Sequence, residues 1–544
     1  MKNRYIITCL LATTIFFSAC KKDVLDIAPT NQVNDVLLWS NQAMVLTYTA
    51  NFYSQLNSGF TAPYIGAPIY TSNLLSDITD DATVNNTTYS AFWNGAYSSS
   101  TSPVNVLWTG SRWQYIRQAN TFLQKIDAVP GDTALNHRMK GEIKFLRAYY
   151  YFDLINYFGA VPIITTPQNE VDSTAFVPRA TSAQCTDFLV SELTAAANLL
   201  PKTYAASDWG RITKGAALAM LCRVQLYAGR WADAAATAKS IMNLNTYSLV
   251  SSYSNVFSVT NKMNSEIILS VQNNGNASQL YNYFDLYNQP PAFTGRGETL
   301  PTQNLVDDYQ MQATGLPITD PASGYNPQNP YVGRDPRFAA TILYDGATFR
   351  GRTMQLYNGG IDLTQSIVPS FITNTGYYLL KFTDQTIDLT NTSAVSSQNW
   401  ILFRYAEVLL NYAEAQNEAV GPDATVYAAM NAIRQRAGMP VLPTGLSQTD
   451  MRTAIYHERR IELAFEDERY WDVKRWKQAT TLFSSTTNPI RKMTIVLNPT
   501  TGVKTYTISN LPTVRVFLDK HYLFPIPYTE LTKPGSKLVQ NPGW

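Results

Sequence analysis

The sequence is poor in the residues that most enzymes use for chemistry. Its 544 residues include only three histidines and four cysteines, and charged residues make up 15%. His457 precedes Glu458, but a zinc-protease motif would have its second histidine at position 461, which is Ile461. Gly295-Arg296-Gly297 lacks a third glycine at Leu300, and the sequence contains neither a phosphate-binding loop nor a Gly-x-Ser-x-Gly elbow. A histidine-centred active site is therefore poorly supported, and we expect no cofactor.

The chain also lacks a strong charge of either sign. Its formal net charge is +2, while aromatic residues reach 12%. Near-neutrality gives no reason to expect a nucleic-acid partner or an acidic membrane surface. High aromatic content with low charge is instead typical of extracellular proteins that contact uncharged ligands.

The N-terminus has the features of an export signal. Lys2 and Arg4 precede an apolar run at 6–17 that is too short to span a membrane, and Ser18-Ala19 leads into Cys20. This order resembles a bacterial lipobox, which predicts that 1–19 is a signal peptide and that the Cys20 thiol receives a lipid. The acyl chains would then anchor an otherwise soluble protein to the membrane. The alternative is an ordinary signal peptide that ends near a cysteine.

Only two cysteines remain in the mature chain beyond the lipidation site, because Cys9 leaves with the signal. Cys185 and Cys222 lie on two predicted helices that pair antiparallel. Export permits a disulfide between them, but sequence does not show its geometry. The alternative is two small buried side chains.

The stretch 400–477 has the clearest periodicity. Polar residues recur there at intervals of three and four among apolar ones: Arg404, Glu407, Asn411, Glu414 and Glu418. This spacing predicts a helix that starts at Trp400 and shows water one narrow polar stripe. A second helix follows Asp423 and stops at Gly438, and Ser447 opens a third. Short antiparallel helices with buried faces indicate a stacked helical repeat.

Several long motifs in this region resemble the SusD/RagB family of outer-membrane lipoproteins from Bacteroidetes. They are the runs 403–410 (FRYAEVLL), 433–438 (IRQRAG), 458–466 (ERRIELAFE) and 469–476 (RYWDVKRW), and the ending 523–527 with 540–544. The segment 144–162 is similar to the same family. The resemblance covers nearly the whole mature chain, with the motifs in the expected order.

The resemblance implies a mostly α-helical fold of tetratricopeptide-like repeats with a large loop-rich insertion. It also implies a protein without enzymatic activity, held at the outer membrane by its lipid and exposed on the cell surface. Such proteins bind oligosaccharides, or peptides in some members, and pass them to a TonB-dependent barrel of the SusC type. They turn their helical repeats towards that barrel. An extracellular glycoside hydrolase and a scaffold that binds only protein remain alternatives.

The organisation of the chain agrees with repeats at both ends. We expect helices at 108–128, 135–158, 181–200 and 213–228, and one ending near Asn243; 229–234 and the Ala428 to Pro440 spacing resemble tetratricopeptide repeats. We divide the chain into 20–250 (helical), 251–400 (a loop-rich ligand face) and 401–544 (helical), packed as one unit. Short strands are expected at 267–272 and 377–382, and a hairpin at 493–508.

Charged residues concentrate at 458–477, where six acids face six bases. Two of these carboxylates could serve a glycosidase, but balanced charges at helical offsets favour structural ion pairs between packed helices. Asp77, Asp80 and Asp81 could bind calcium, although their spacing fits no established loop. A metal site is therefore left open.

Aromatic residues in two polar loops are the candidate ligand contacts. One loop has Tyr89, Phe92, Trp93 and Tyr97, and the other has Tyr281, Tyr283, Phe284, Tyr287 and Phe293. Flat rings beside amides and hydroxyls can stack on the C–H faces of sugars. We expect Trp93, with Asn94 beside it, to be the leading anchor, and Tyr97, Tyr283 and Tyr287 to form a second platform if the fold joins the loops. The alternative is that these rings pin long loops to the body.

Overall fold

The structure is a computed structural model, and it describes residues 35–60, 74–87, 89–168, 176–275, 282–366, 368–391 and 394–544. The predicted signal peptide, the lipidation site Cys20 and Tyr281 lie outside the described residues. Within these ranges, no helix combines the length and the apolar character that a membrane crossing needs.

Helices dominate the architecture. In chain order they are α1 Asp35–Trp39, α2 Gln42–Phe52, α3 Ser90–Asn94, α4 Asn105–Thr109, α5 Ser111–Lys125, α6 Thr133–Phe158, α7 Ser182–Leu199, α8 Lys214–Tyr227, α9 Trp231–Met242, α10 Tyr253–Val256, α11 Phe284–Asn288, α12 Gln303–Asp308, α13 Pro336–Thr341, α14 Ile361–Thr364, α15 Tyr405–Val420, α16 Ala424–Arg436, α17 Gln448–Glu462, α18 Glu468–Arg475, α19 Ala479–Leu482 and α20 Tyr528–Leu531. The longer ones lie where periodicity predicts them.

The long helices stack in sequence, which confirms the mostly α-helical superhelix. Helix α5 packs on α6, α6 on α7, α7 on α8 and α8 on α9. The series then continues across the insertion, because α9 packs on α15, and α15 on α16 and α17. Small buried residues such as Ala234, Ala238 and Ala413 line these contacts and allow neighbouring helices to approach closely. One hydrophobic core therefore joins residues from Val45 to Ile526.

The predicted helix starts are confirmed by their caps. Ser447 accepts a hydrogen bond from the Asp450 N–H and begins α17, and the Asp423 side chain accepts from the first turn of α16. Thr181 and Gln184 form a reciprocal capping box at the start of α7. These side chains satisfy backbone donors that a helix leaves without internal partners.

The strands are short and pair antiparallel. They are β1 Ala82–Thr83, β2 Ile267–Val271, β3 Leu300–Pro301, β4 Ile342–Leu343, β5 Thr348–Phe349, β6 Arg352–Thr353, β7 Tyr378–Leu379, β8 Trp400–Arg404, β9 Arg491–Leu497 and β10 Lys504–Asn510. The pairs are β1 with β3, β2 with β8, β4 with β7, β5 with β6 and β9 with β10. The predicted hairpin is β9–β10, and the two predicted short strands are β2 and β7.

The prediction of a helix from Trp400 is wrong for its first five residues. They form β8, which pairs with β2 so that Ile267 lies opposite Arg404 and Val271 opposite Trp400. Helix α15 begins only at Tyr405. Pairing with a strand about 130 residues earlier overrides the local helical spacing, as tertiary contacts often override propensity. The pair also brings the two ends of the loop-rich stretch to one place.

The predicted water-facing stripe of this helix is also wrong. Arg404, Glu407, Asn411 and Glu414 are all buried, with at most 4% of each residue exposed. They face inwards because each meets a charged partner on a neighbouring element. The polar periodicity therefore corresponds to a buried contact surface between α15 and neighbouring elements.

The loop-rich stretch has its own aromatic core, which explains how long loops are held in place. Rings from distant parts of the chain meet there, including Phe60, Phe284, Phe382 and Trp400. Phe60 lies 4.5 Å from Phe284 and 5.0 Å from Trp400 between ring centroids. Such contacts add to the stabilisation from burial alone.

The two described cysteines are free, buried thiols. Cys185 Sγ donates to the Val161 oxygen at 3.7 Å, and Cys222 Sγ donates to the Ala234 oxygen at 3.4 Å. Burial raises the pKa of the Cys222 thiol to about 12. Of the two alternatives, the structure shows the pair of small buried side chains.

Candidate functional site

The structure joins the two loops that carry the candidate aromatic residues. Strand β1, from the first loop, pairs with β3 from the second, and the Thr302 N–H donates to the Asp81 oxygen at 2.9 Å. Asp77 forms a second connection between the two loops. Its backbone oxygen accepts from Trp93 Nε1 at 3.0 Å, and its carboxylate accepts from Thr299 Oγ1 at 3.2 Å. The ligand prediction required the two loops to lie close together, and the backbone pairing of β1 with β3 connects them.

Trp93 and Tyr97 do not have open ring faces. Trp93 lies on helix α3, not in a loop, and is 9% exposed; Arg515 lies 5.3 Å from its ring centroid. Tyr97 is 8% exposed and stacks on Phe524 and Trp544 at 5.4 and 5.1 Å. Both rings are covered by the C-terminal segment, so neither presents an open face to a ligand. Packing is the role that the structure shows for them.

Asn94 is exposed beside Trp93, but its side chain is already engaged. Its Oδ1 accepts a hydrogen bond from the Ala96 N–H at 2.8 Å, which closes a local turn after α3. Ligand contact by Trp93, Asn94 and Tyr97 stays a prediction.

Tyr283 and Tyr287 lie together in the second loop. Tyr287 belongs to α11 and is 4% exposed, whereas Tyr283 precedes that helix and is partly exposed; their centroids are 6.1 Å apart. The guanidinium of Arg296 lies 4.8 Å from the Tyr287 centroid and 5.8 Å from that of Phe371. Tyr287 is therefore a supporting ring beneath Arg296, and Tyr283 is the more accessible of the two tyrosines.

Two amides border this group. Asn85 Nδ2 donates to the Ile372 oxygen at 2.8 Å, and Asn374 Nδ2 donates to Asn85 Oδ1 at 3.0 Å. Both residues are partly exposed and belong to different segments. We call the set Tyr283, Arg296, Phe371, Asn85 and Asn374 the loop face. It combines partly exposed rings with donors and acceptors, which is the chemistry that binds sugar hydroxyls and C–H faces.

Most charges of the segment 458–477 belong to buried ion pairs, as predicted. The central network contains the cations Arg337, Lys381, Arg404, Arg434 and Arg436 and the carboxylates Glu266, Asp335, Glu458, Glu462 and Glu466. Each of these side chains is at most 5% exposed. Burial opposes the charge on Glu462, but Arg436, Arg404 and Arg337 outweigh it and hold the pKa of Glu462 below its ordinary value.

The aspartates considered for calcium are also accounted for. Asp80 pairs with Arg460 at 3.1 Å and with Arg469 at 2.9 Å, and Asp81 pairs with Arg460 at 2.8 Å. Burial opposes ionisation of Asp80, yet these two arginines lower its pKa to about 2. Burial instead raises the pKa of Asp77 well above its ordinary value. Across the described ranges, no cluster of three or more His, Cys, Asp or Glu side chains is arranged to hold a metal ion.

The described part of the chain also has cavities outside the loop face. One of about 90 Å³ is lined by Asp153, Arg223, Asp467, Glu468 and Trp471, among others, and is too small for a sugar ligand. An open groove of about 460 Å³ is lined by residues that include Trp113, Asn120 and Phe176. Another, of about 380 Å³, includes Tyr204, Trp209 and Tyr247. The second groove also includes residues of strand β2, and both grooves are large enough to compete with the loop face as ligand sites.

Sequence reasoning missed the environments of three charged residues. Arg296 was noted only as part of an incomplete glycine motif, and its flanking glycines were the signal that could have identified a tight turn. Asp467 was counted among the paired charges, but its Oδ1 accepts from the Leu75 N–H at 2.8 Å and burial raises its pKa to about 8. Lys474 is also an exception, since burial lowers its pKa to about 7 and its Nζ lies over the Tyr470 and Trp471 rings.

Comparison with known proteins gives matches along most of the chain. A family model described as "SusD family" matches residues 263–544, and one described as "Starch-binding associating with outer membrane" matches residues 25–226. SusD-like protein P25 of Formosa agariphila is 26% identical over 385 residues, which cover 67% of this chain and 68% of the relative.

Two solved structures from Bacteroides fragilis share the fold. A SusD-like protein matches with a TM-score of 0.80 and 29% identity, over 95% of this chain and 100% of the other. A SusD-like carbohydrate binding protein matches with a TM-score of 0.76 and 25% identity, over 90% of this chain and 98% of the other.

Proposed function

The chain belongs to the SusD family, and we propose that it binds nutrient oligosaccharides at the cell surface and delivers them to a TonB-dependent outer-membrane transporter of the SusC type. The observation that carries this proposal is the family match over 263–544, which includes Tyr283, Arg296, Phe371 and Asn374 of the loop face. The similar protein from Bacteroides fragilis that is described as carbohydrate binding supports a glycan as the ligand class.

We place the glycan on the loop face. Tyr283 and Phe371 supply partly exposed rings, and Asn85 and Asn374 supply amides from two other segments. The β1–β3 pairing and the hydrogen bond from Asn374 to Asn85 connect the segments that carry these residues, which reduces the entropy that a ligand must overcome on binding. The other candidate contacts in this proposal are Trp93, Asn94, Tyr97 and Tyr287. Of these, Trp93, Tyr97 and Tyr287 are buried, so we expect them to support the ligand-contacting residues by packing.

A binding role without catalysis fits the distribution of carboxylates. A glycosidase needs two carboxyl groups that flank a sugar in a cleft. The acids of 458–477 that sequence offered for this role, such as Glu458, Glu462 and Asp472, are held by arginines inside the protein. These carboxylates are therefore engaged in ion pairs inside the protein.

Two further parts of the proposal concern placement at the membrane. Lipid on Cys20 would tether the protein to the outer membrane, with the body exposed at the cell surface. The stacked helices α5 to α9 and α15 to α17 would face the transporter, as the family resemblance implies. The loop face would then remain available to arriving glycan.

Purified protein tests the function directly. We expect calorimetric titration with a panel of oligosaccharides to give saturable binding to at least one, without release of reducing ends during prolonged incubation. Affinity capture from solubilised outer membranes should recover a TonB-dependent barrel. Turnover that one carboxylate substitution abolishes would favour a hydrolase instead. Recovery of the barrel with no glycan or peptide binding would favour a protein-binding scaffold.

A further inference from the structure

Arg296 differs from the other arginines in the described part of the chain. Each of those donates a hydrogen bond or forms an ion pair; Arg117 and Arg350, for example, donate to backbone oxygens. No hydrogen bond or ion pair to the guanidinium of Arg296 is present there. Its contacts are with the Tyr287 and Phe371 rings. Arg296 is only partly exposed, so a cation with several unused donors is held against the protein surface.

The backbone around Arg296 is built to hold it in place. Four successive N–H groups donate to the segment at 286–290: Gly295 to the Pro290 oxygen, Arg296 to Leu286, Gly297 to Gln289 and Glu298 to Tyr287, at 2.8–3.2 Å. This short segment includes most of α11 and the residues just after it.

Glycine is required on both sides of this turn. A Cβ on Gly295 would lie 2.0 Å from the Gln289 oxygen, and one on Gly297 would lie 2.4 Å from the Tyr378 ring. Gly297 also has a φ of +54°, a conformation that side chains disfavour. The close contacts at Gly295 and Gly297 therefore restrict the backbone on both sides of Arg296 and fix the position of its Cα.

We propose that Arg296 binds an anionic group of the glycan, a carboxylate of a uronic acid or a sulfate ester. A planar guanidinium presents paired donors that match both groups, and stacking on Tyr287 orients it before the ligand arrives. The nearest acid in sequence, Glu298, lies beyond ion-pair distance of Arg296 among the described residues. Acidic glycan is thus the ligand class that the loop face takes, and this inference rests on the proposed glycan-binding function.

Calorimetric titration of purified protein tests the proposal with three probes of equal length. They are an oligogalacturonide, a sulfated galactan oligosaccharide and a neutral galacto-oligosaccharide. The variants are Arg296→Gln, Arg296→Lys and, as a matched loss of one charge, Lys239→Gln on the exposed face of α9. Melting curves establish that each variant is folded.

We expect the wild-type protein to bind at least one acidic probe more tightly than the neutral one. Arg296→Gln should weaken that binding about ten-fold or more, as loss of a charge-assisted hydrogen bond does, and Lys239→Gln should leave it unchanged. Arg296→Lys should retain part of it, because the charge remains but the planar fork is lost. The acidic probe that binds distinguishes carboxylate from sulfate.

Other results separate failure of this inference from failure of the proposed function. If the protein binds the neutral probe best, or if Arg296→Gln weakens neutral and acidic probes equally, Arg296 is not an anion receptor while glycan binding stands. If an acidic probe binds equally well to wild type and Arg296→Gln, the anion is read elsewhere and the inference is wrong. If no glycan of any charge binds, both the inference and the proposed function fail.

Discussion

Arg404 and Glu462 meet inside the protein, where Arg404 Nη1 donates to Glu462 Oε1 at 2.7 Å and neither side chain is more than 1% exposed. The pair connects the end of strand β8 to the end of helix α17. Arg404 also bonds Glu266 at 2.8 Å and Glu466 at 2.6 Å, so a single guanidinium joins three segments of the chain.

We expect Arg404→Ala to destabilise the protein by about 3–5 kcal/mol, because it leaves three carboxylates short of a partner in a buried site. Arg230→Ala is the control: Arg230 pairs with Asp187 at the surface, where such a pair is worth at most about 1 kcal/mol. Denaturant unfolding measures both. Loss of ligand affinity in Arg404→Ala without loss of stability would contradict the structural role.

The burial of Trp93 predicts a loss of stability on truncation. Trp93→Ala should cost about 3–5 kcal/mol, as for other buried aromatic residues, and should remove the bond to the Asp77 oxygen. Asn94→Ala, at the exposed neighbour, should change stability by no more than about 0.5 kcal/mol. Melting curves and glycan titration are measured together. An unchanged melting temperature with weakened glycan binding would make Trp93 the ligand anchor that its sequence context predicts.

Tyr283 is the ring of the loop face that we expect to contact ligand. Tyr283→Ala should weaken glycan affinity by about 1–3 kcal/mol, the range of a truncated aromatic hot spot, with little change in melting temperature. Trp209→Ala, in the 380 Å³ groove, is the matched ring removal at a competing site. Calorimetric titration that shows the larger loss for Trp209→Ala would move the glycan to that groove.

Asp467 should make stability depend on pH. Burial raises its pKa to about 8, above the unfolded value near 4. Its contribution is therefore complete below about pH 4 and is lost as pH rises through 8, because the unfolded chain releases the proton more readily.

Asp467→Asn cannot titrate, and its amide oxygen can still accept from Leu75 N–H. Asparagine also tolerates the φ of +63° found at this position. We expect the variant to melt a few degrees above wild type at pH 9 and to match it at pH 4. Asp233→Asn on the exposed face of α9 should have no effect at either pH. Equal melting temperatures of Asp467→Asn and wild type at pH 9 would show that Asp467 is ionised without cost.

Cys20→Ala should abolish lipid attachment and stable retention at the membrane, because the thiol is the expected site of acylation. Incorporation of labelled fatty acid measures the first, and fractionation measures the second. Label that persists in the variant would exclude Cys20 as the site. Protease treatment of intact cells examines surface exposure separately, and full protection would place the protein in the periplasm.

Local sequence determined most of the helices and the hairpin. A helix cap depends only on nearby residues, because its side chain accepts hydrogen bonds from backbone N–H groups in the first turn of the same helix. The helix starts at Ser447, Asp423 and Thr181 could therefore be predicted from local sequence. The hairpin β9–β10 likewise turns within a few residues. The pattern of balanced charges at 458–477 predicted ion pairs correctly for most of these residues, because opposite charges at helical offsets can meet on adjacent turns or neighbouring helices.

Only the tertiary structure decided the features that depend on distant partners. Trp400–Arg404 is a strand because Ile267–Val271 lies beside it, and the polar side of α15 is buried because arginines and acids from other elements meet it there. The ring of Trp93 is covered because the C-terminal segment returns over it, with Arg515 against its face. The guanidinium of Arg296 contacts only rings, because no carboxylate in the described part of the chain lies within ion-pair distance of it. Periodicity shows which side of a helix or strand is polar. Whether that side can be buried depends on hydrogen-bond and ion-pair partners from distant parts of the chain, because an unpaired buried polar or charged group costs free energy.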